Sequence, residues 1–329
     1  MPKVLHIGPC DSPGGMANVM RILAEHPPEG WEAELLASHV VGSLWAKWRA
    51  YRKARSTLIR MLNDPTQRPD VVHLHTAADW SWWRKRRFAL LGHAAGCKIV
   101  VHIHSGKFDQ WLGPSSSKKS KLMRADIGTV QASTVVLSEH WRDIFSKYFE
   151  DVCSIRNPIP PTLQCSNAVR DTEHLLLLGR NDSVKGHEFA IAVARTLRER
   201  RPGIRLSLTG ISQSTETWAN GLGWVSEEEK NRLLRSASIL LVPSLFEGQP
   251  LVVIEALASG LPVLVSDSVH SIPNSVTHAR YQDVSDWVEK LDAILEEEVN
   301  PAALSESVSH HRISTVNEQW RSLYNGLSG

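Results

Sequence analysis

Residues 243–263 read PSLFEGQPLVVIEALASGLPV. Just before them, Ser238 to Pro243 (SILLVP) is a short apolar run bounded by turn residues, which predicts a buried parallel strand. Pro250 suits the first turn of a helix, where a missing N–H costs nothing, so the stretch reads as strand, loop and helix. Glu247 then falls in the loop at the strand's carboxyl end. Glu255, eight positions on, falls about one and a half turns into the helix, at roughly 3.6 residues per turn. In an open α/β sheet this is where ligands bind, because strand ends open into a crevice and helix N-termini present unpaired N–H groups. Charged side chains are mostly on the surface, so two glutamates alone are as well read as a helix-start carboxylate and a solvated helix residue. The surrounding pattern is what gives them weight.

A second stretch supplies the opposite charge. His174 to Leu178 is an apolar strand, followed by Gly179-Arg180-Asn181-Asp182-Ser183-Val184-Lys185-Gly186 and a helix from His187 to Arg200. Arginine offers a planar fork and lysine a compact point charge, a pair suited to neutralising a diphosphate as a leaving group gains charge. Arg-x4-Lys by itself carries no information; after a strand, before a helix and upstream of the two glutamates it does. Together the stretches resemble the retaining family 4 glycosyltransferases of the GT-B fold, the glycosyl transferases group 1. The likeness is strongest from Leu175 to Val265 and extends over nearly the whole chain.

That resemblance implies two Rossmann-like α/β domains with parallel sheets facing across a crevice, and a nucleotide sugar as donor. It implies that Glu255 holds the donor's ribose hydroxyls, while Glu247 and the backbone through Gly248, Gln249, Pro250 and Leu251 hold the sugar. Gly179, Arg180 and Lys185 would take the diphosphate. The loop after the first strand, PCDSPGGMANVMRIL, carries Gly14 and Gly15 before a helix; paired glycines let a backbone approach a phosphate, and are equally an ordinary turn. The resemblance places that loop against the diphosphate. It also gives His104, followed by Ser105-Gly106, a role near the acceptor and the transferred sugar. Two departures stand out: Ile211 to Trp224 is short enough to lack one peripheral helix, and Ser271 and Asn274 stand where the family has a glycine-rich turn ending in glutamate.

Composition sets the frame. A chain of 329 residues, 42% apolar and 22% charged, suits a globular protein of two domains. No apolar run is long enough to span a membrane, and the amino terminus enters a strand directly, so the cytoplasm is the expected compartment. Cys10, Cys97, Cys153 and Cys165 lack the close paired spacing of a zinc site or a disulfide framework. Charge is uneven: residues 1–165 carry 22 lysines and arginines against 14 acidic residues, a net of +8, and the remainder carries 15 against 21, a net of −6. The basic part also holds 8 of the 12 tryptophans.

Within that part, Lys3 to Gly8 and Glu32 to Ala37 predict strands, and Ser43 to Leu62 a helix with Leu44, Trp45, Trp48, Tyr51, Leu58, Ile59 and Leu62 on one broad face. The basic residues beside that face suit a helix on an anionic membrane surface, and the same pattern suits a helix packed on its own sheet. DVVHLH (Asp70–His75) and KIVVHIH (Lys98–His104) predict strands that each end in His-x-His. Residues two apart share a strand face, so each pair could ligate one metal, but neither shows a third ligand, and no metal is expected. Trp80, Trp82 and Trp83 with Arg84 to Arg87, and the KKSKLMR run from Lys118, are basic clusters; no nucleic-acid motif accompanies them, and a solvated face or an anionic lipid-linked acceptor explains them as well.

Asn157-Pro158-Ile159-Pro160-Pro161 breaks regular structure and marks the domain boundary. The expected division is residues 1–157 as an acceptor-binding domain, 158–310 as a nucleotide-sugar-binding domain, and 311–329 as a helix crossing back to the first. The expected reaction is transfer of a sugar, with retention of anomeric configuration, to a hydroxyl of a glycan or lipid-linked glycan. It needs no cofactor beyond the donor and no metal, since Arg180 and Lys185 carry the phosphate charge and no Asp-x-Asp is present. A peripheral site on the cytoplasmic membrane face is the expected location. A nucleotide-sugar epimerase or hydrolase, and a silent partner subunit of a glycosyltransferase, are the competing readings.

Overall fold

The computed structural model describes residues 1–166 and 168–328. The chain divides into two compact units, Met1–Pro158 with Ile313–Gly329, and Ile159–Arg312. In the first, strands β1 (Lys3–Gly8), β2 (Glu32–Ala37), β3 (Val71–Thr76), β4 (Lys98–Ile103), β5 (Ser133–Val136) and β6 (Val152–Ser154) form one parallel sheet in the order β2-β1-β3-β4-β5-β6. Helices α1 (Gly15–Glu25), α2 (Leu44–Asn63), α3 (Trp80–Ala94), α4 (Phe108–Leu112), α5 (Lys118–Thr129) and α6 (Glu139–Phe145) connect them.

The second unit repeats the plan. Strands β7 (His174–Leu177), β8 (Arg205–Thr209), β9 (Ala219–Gly223), β10 (Ile239–Val242), β11 (Val263–Ser266) and β12 (Thr277–Ala279) lie in the order β12-β11-β10-β7-β8-β9, again all parallel. Its helices are α7 (His187–Arg198), α8 (Glu227–Ser236), α9 (Leu251–Ala258), α10 (Val284–Glu296) and α11 (Pro301–Glu306). The last helix, α12 (Ile313–Ser328), packs with the first unit. Strand β9 occupies the stretch in which the sequence predicts only a missing helix.

The sheet of the first unit has two unlike faces, because side chains alternate along each strand and in-register partners of a parallel pair point the same way. On one face Leu5, Ile7, Val72, Leu74, Ile99 and Val101 pack with Leu58 of α2 and Trp82 and Phe88 of α3. Helix α2 starts where Ser43 accepts a hydrogen bond from the Ala46 N–H at 3.2 Å. Its buried stripe is only Ala54, Leu58 and Met61, spaced i, i+4, i+7. The broad apolar face predicted for it is therefore divided: Leu44 is 84% exposed, Trp45 63% and Trp48 45%. The tryptophan-rich cluster is divided too, within α3. Trp82 and Lys85 go inside, Arg86 pairs with Asp126 at 2.6 Å, and Trp80 stays outside. It is not one solvated face, because helical spacing sends alternate positions to opposite sides.

The other face of the same sheet carries five histidines. His6 is in register with His73, and His75 with His102, which puts His6, His73, His75, His102 and His104 on one side. Nitrogens meet across the strands: His6 Nδ1 to His75 Nε2 at 3.0 Å, His75 Nδ1 to His104 Nε2 at 2.9 Å, and His73 Nε2 to His102 Nδ1 at 3.2 Å. The chain closes on α12, where the Tyr324 hydroxyl lies 2.7 Å from His73 Nδ1 and the Trp320 ring packs on His73. Trp31 Nε1 donates to Asn325 Oδ1 at 3.0 Å and fixes the end of that helix.

A neutral imidazole has one donor and one acceptor nitrogen, so such a chain forms without charge. Burial pushes His6 down to about 3 and holds His73, His75 and His102 well below 6.5. The unfolded chain binds protons on these rings below about pH 6.5, whereas the folded chain does not. Stability is therefore fully present above that pH and falls as pH drops toward 3, at about 1.4 kcal/mol per pH unit for each ring that the unfolded state protonates. Acid should unfold this unit steeply, with uptake of close to one proton per cluster histidine. Calorimetric unfolding at pH 5.5 in buffers of different ionisation enthalpy measures it; no net uptake would show that the rings are already charged in the fold.

Candidate functional site

In the second unit the strand order reverses beside β7: the chain goes from β7 out to β8 and β9, then returns to β10 on the other side. The loops after β7 and β10 thus leave adjacent strands in opposite directions, the point at which open α/β sheets bind ligands. Here the two loops touch. Leu245 N–H donates to Val184 O at 2.9 Å. Gly186, at φ 72°, crosses so close that a Cβ there would lie 2.8 Å from Pro243 O, so only glycine fits on both counts. Gly179 N–H donates to Thr209 Oγ1 at 2.9 Å, tying the end of β7 to β8.

This crossing sets Lys185 against Glu247. Lys185 Nζ donates to Glu247 Oε1, the same oxygen that accepts from Ser244 Oγ at 2.9 Å. Both side chains are largely but not fully buried, at 19% and 16% exposed. The loop runs on through Gly248 and the buried Gln249 to Pro250, which caps α9 from just outside; Leu251 is the first helical residue, one position later than the sequence predicts. Arg180 stands in the same loop as Lys185, but its guanidinium is 62% exposed and reaches Asp182 at 3.6 Å. The structure does not bring it against Lys185 or Glu247.

Glu255 sits five residues into α9 and is 2% exposed. Lys230 of α8 donates to its Oε1 at 2.9 Å and also reaches Glu227 at 2.8 Å. Burial raises the Glu255 carboxyl above its ordinary range, and the Lys230 ammonium opposes that shift. Lys230 has no motif in the sequence; its role is visible only once α8 and α9 are folded side by side.

The remaining predicted residues lie in the first unit. Gly14 is the N-cap of α1 at φ 129°, ψ 168°, and Gly15 is the first residue of that helix. His104 follows β4, its N–H bonded to Thr76 O at 2.9 Å, and it is the only half-buried member of the histidine cluster. The sequence suggests no third ligand for either His-x-His pair, and this is corrected. Because β3 lies in register between β1 and β4, one nitrogen each of His75, His102 and His104 come within 4.8 Å of one another, as do one each of His6, His73 and His75. A metal needs such spacing. His102 Nε2 is buried without a hydrogen-bond partner among the described residues, while the other nitrogens at these contacts already bond to each other.

Sequence reasoning also missed Lys85, buried in α3 and donating to Ser38 Oγ at 2.9 Å. Burial pushes its ammonium down to about 7, with Arg84 adding to the shift. Among the described residues no helix is long and apolar enough to cross a membrane.

Residues 172–304 match the family model described as Glycosyl transferases group 1. Glycogen synthase of Mycobacterium tuberculosis is 25% identical over 245 residues, 68% of this chain and 58% of its own length. D-inositol 3-phosphate glycosyltransferase of Pseudarthrobacter chlorophenolicus is 28% identical over 148 residues, 38% of this chain and 35% of its own. The chain thus spans less than two thirds of the length of these curated relatives. Sucrose-phosphate synthase from Thermosynechococcus elongatus superposes with a TM-score of 0.73 at 16% identity, covering 99% of both chains. That likeness bears out the GT-B fold.

The Lys230–Glu255 pair gives a direct test of the site's electrostatics. Removing one member of a buried ion pair leaves an uncompensated charge, which typically costs about 3 kcal/mol or more. Lys230→Met should lower stability by about that amount at pH 7, and adding Glu255→Gln should recover much of it. Denaturant unfolding of the two variants measures both. Equal stability of Lys230→Met and the parent would mean that Glu255 is already protonated.

Proposed function

We propose, from a second unit that matches the glycosyl transferases group 1 model, that the protein moves a sugar from a nucleotide-sugar donor to a hydroxyl acceptor with retention of anomeric configuration. The observation that carries this reading is the Lys185–Glu247–Ser244 constellation at the point where the strand order reverses. A cation beside a carboxylate, in a loop fixed by glycine, suits a ligand with a diphosphate at one end and hydroxyls at the other.

The roles follow from position. Lys185 and Arg180 take the diphosphate: Lys185 is already in place, and Arg180, exposed and paired among the described residues with Asp182 alone, can swing onto the outer phosphate. Their charge is worth most as the leaving group becomes anionic, which is where preorganised donors accelerate a reaction. Glu247, released by Lys185 when a diphosphate arrives, accepts from the sugar hydroxyls, with backbone from Gly248 to Leu251 alongside. Glu255 accepts from ribose hydroxyls through the oxygen that Lys230 leaves open. His104, at the end of β4, is held neutral by burial, which pushes it down to about 3, so it offers the acceptor side a hydrogen bond rather than a base. Within the first unit, Gly14 and Gly15 at the start of α1 suit a phosphate-binding turn.

The donor chemistry assigned here uses no metal, because two side-chain cations do the work of one. The acceptor is a glycan or lipid-linked glycan presented at the cytoplasmic face of a membrane, and the work belongs to polysaccharide biosynthesis. Epimerase or hydrolase activity and a silent partner role find no support in these likenesses.

A thermal-shift panel of nucleotide sugars identifies the donor, and nucleotide release that depends on added acceptor tests transfer; sugar conversion without acceptor would make the protein an epimerase. Lys185→Ala and Arg180→Ala should each lower kcat/KM by about 2 to 4 kcal/mol of transition-state stabilisation. Unchanged turnover in both, with the fold intact, would remove the two cations from the mechanism. A chelator should leave turnover unchanged, and loss restored by a divalent ion would give the histidine nitrogens a catalytic metal.

A further inference from the structure

Helices α2 and α3 are unusual in charge. Helix α2 carries Lys47, Arg49, Arg52, Lys53, Arg55 and Arg60, and α3 carries Arg84 to Arg87; neither contains an acidic residue. Among these ten cations, only Arg86 has an ion pair among the described residues. Between the helices runs a groove of about 770 Å³ whose lining includes Arg52, Arg55, Arg60 and Arg87 and no carboxylate. Its apolar lining is Trp48, Tyr51, Ile59, Leu90 and Leu91.

The groove is built rather than incidental. Arg52 stacks over the Trp48 ring at 4.9 Å, and Arg87 Nη1 reaches the Tyr51 hydroxyl at 3.5 Å, so the guanidiniums are held at the walls with donors to spare. At the amino-terminal end of the helices the surface turns aromatic. Trp45 and Trp48 stack at 4.7 Å, and Trp80 is 76% exposed with Leu44 more so. Each of these helices follows a strand, so their amino termini lie at the carboxyl edge of the sheet, the edge at which His104 also sits.

We propose that this groove is a docking site for an anionic phospholipid at a membrane surface. The lipid phosphate binds between Arg52, Arg55 and Arg87, and the start of its chain lies along Trp48, Ile59, Leu90 and Leu91. Guanidinium forks match phosphate oxygens bidentately, which a diffuse positive face does not require. Tryptophan prefers the interfacial zone for its apolar ring and polar N–H. Four unpaired arginines around an apolar floor complement a ligand that is anionic at one end and apolar at the other. A polynucleotide supplies the charge but leaves the floor and Leu44, Trp45 and Trp80 uncovered. The assignment refines the membrane-proximal acceptor in the proposed function and rests on that reading for its biological use, though the binding itself does not require it.

The test is co-sedimentation of the full-length chain with vesicles of phosphatidylcholine doped with phosphatidylglycerol, at low and high salt. Two triple variants of equal charge are compared: Arg52→Gln/Arg55→Gln/Arg87→Gln in the groove, and Lys98→Gln/Lys118→Gln/Lys121→Gln on other surfaces of the same unit. All six side chains are on the surface, so folding is checked simply by the thermal melt. The groove variant should lose about a hundredfold in partitioning, from three residues each of which contributes about fivefold near an anionic surface, and the second variant far less. Equal losses would reduce the groove to diffuse charge and overturn the proposal. Thermal stabilisation by inorganic phosphate, lost in the groove variant, without vesicle binding by the parent, would make it a soluble-anion site and also overturn it, as would retention of RNA without vesicles. Transfer to a soluble acceptor, measured in the same variants, keeps the two readings apart. Groove-dependent vesicle binding without any transferase activity would sink the proposed function alone.

Discussion

The contact between Gly186 and Pro243 is the constraint on which the second unit's site depends. A backbone oxygen occupies the place of a Cβ, and the left-handed φ would strain any other residue. Because the two loops meet there, Val184 and Leu245 can bond backbone to backbone, and the side chains on either side, Lys185 and Glu247, fall within reach. A wider crossing would leave both on separate loops in water, where an ion pair contributes little. The Lys185 ammonium is compensated by the Glu247 carboxylate. On the proposed reading a diphosphate would replace one anion by another at Lys185, and free the Glu247 carboxylate for hydroxyl groups in the same step.

The first unit solves a different problem. A parallel sheet is covered on both faces and ordinarily reads as continuous apolar residues. Here one face holds five imidazoles, and the cost of burying them is offset in part because His73 and His75 each bond to a neighbour through both ring nitrogens, one donating and one accepting, while His6, His102 and His104 bond through one. Tyr324 joins one such chain, so α12 is held by a hydrogen bond and by ring contacts as well as by apolar packing. The arrangement ties the last helix of the chain chemically to the sheet's neutral state.

Much of this was legible in the residues. Strands β1 and β2 begin and end where the sequence places them, and the loop-helix register puts Glu247 and Glu255 in the loop and the helix as predicted, because proline and glycine punctuate the chain there. What was not legible has a common physical cause: it depends on which elements become neighbours. The spacing of His73 and His75 shows that they share a face, but not that β4 lies in register beside them with two more. The 3.6-residue period shows that α2 has an apolar side, but not that only Ala54, Leu58 and Met61 of it become fully buried. Lys230 lies on another helix from Glu255, so its partner cannot be read from spacing at all.

That same dependence on neighbours explains the contrast in how the two units treat their cations. In the second, Lys185, Lys230, Arg201 and Arg205 each face a carboxylate within the unit, where acidic residues are plentiful enough to compensate them. In the first, α2 and α3 have no acidic residue from which to make such pairs, and of their cations Arg86 alone reaches across to Asp126. Uncompensated guanidiniums on exposed helices repel one another and lower the stability of the unit that carries them. Tryptophans left outside add apolar surface that packing could have buried. Both costs fall on the same two helices, and an anionic, partly apolar surface is the kind of partner that offsets both together.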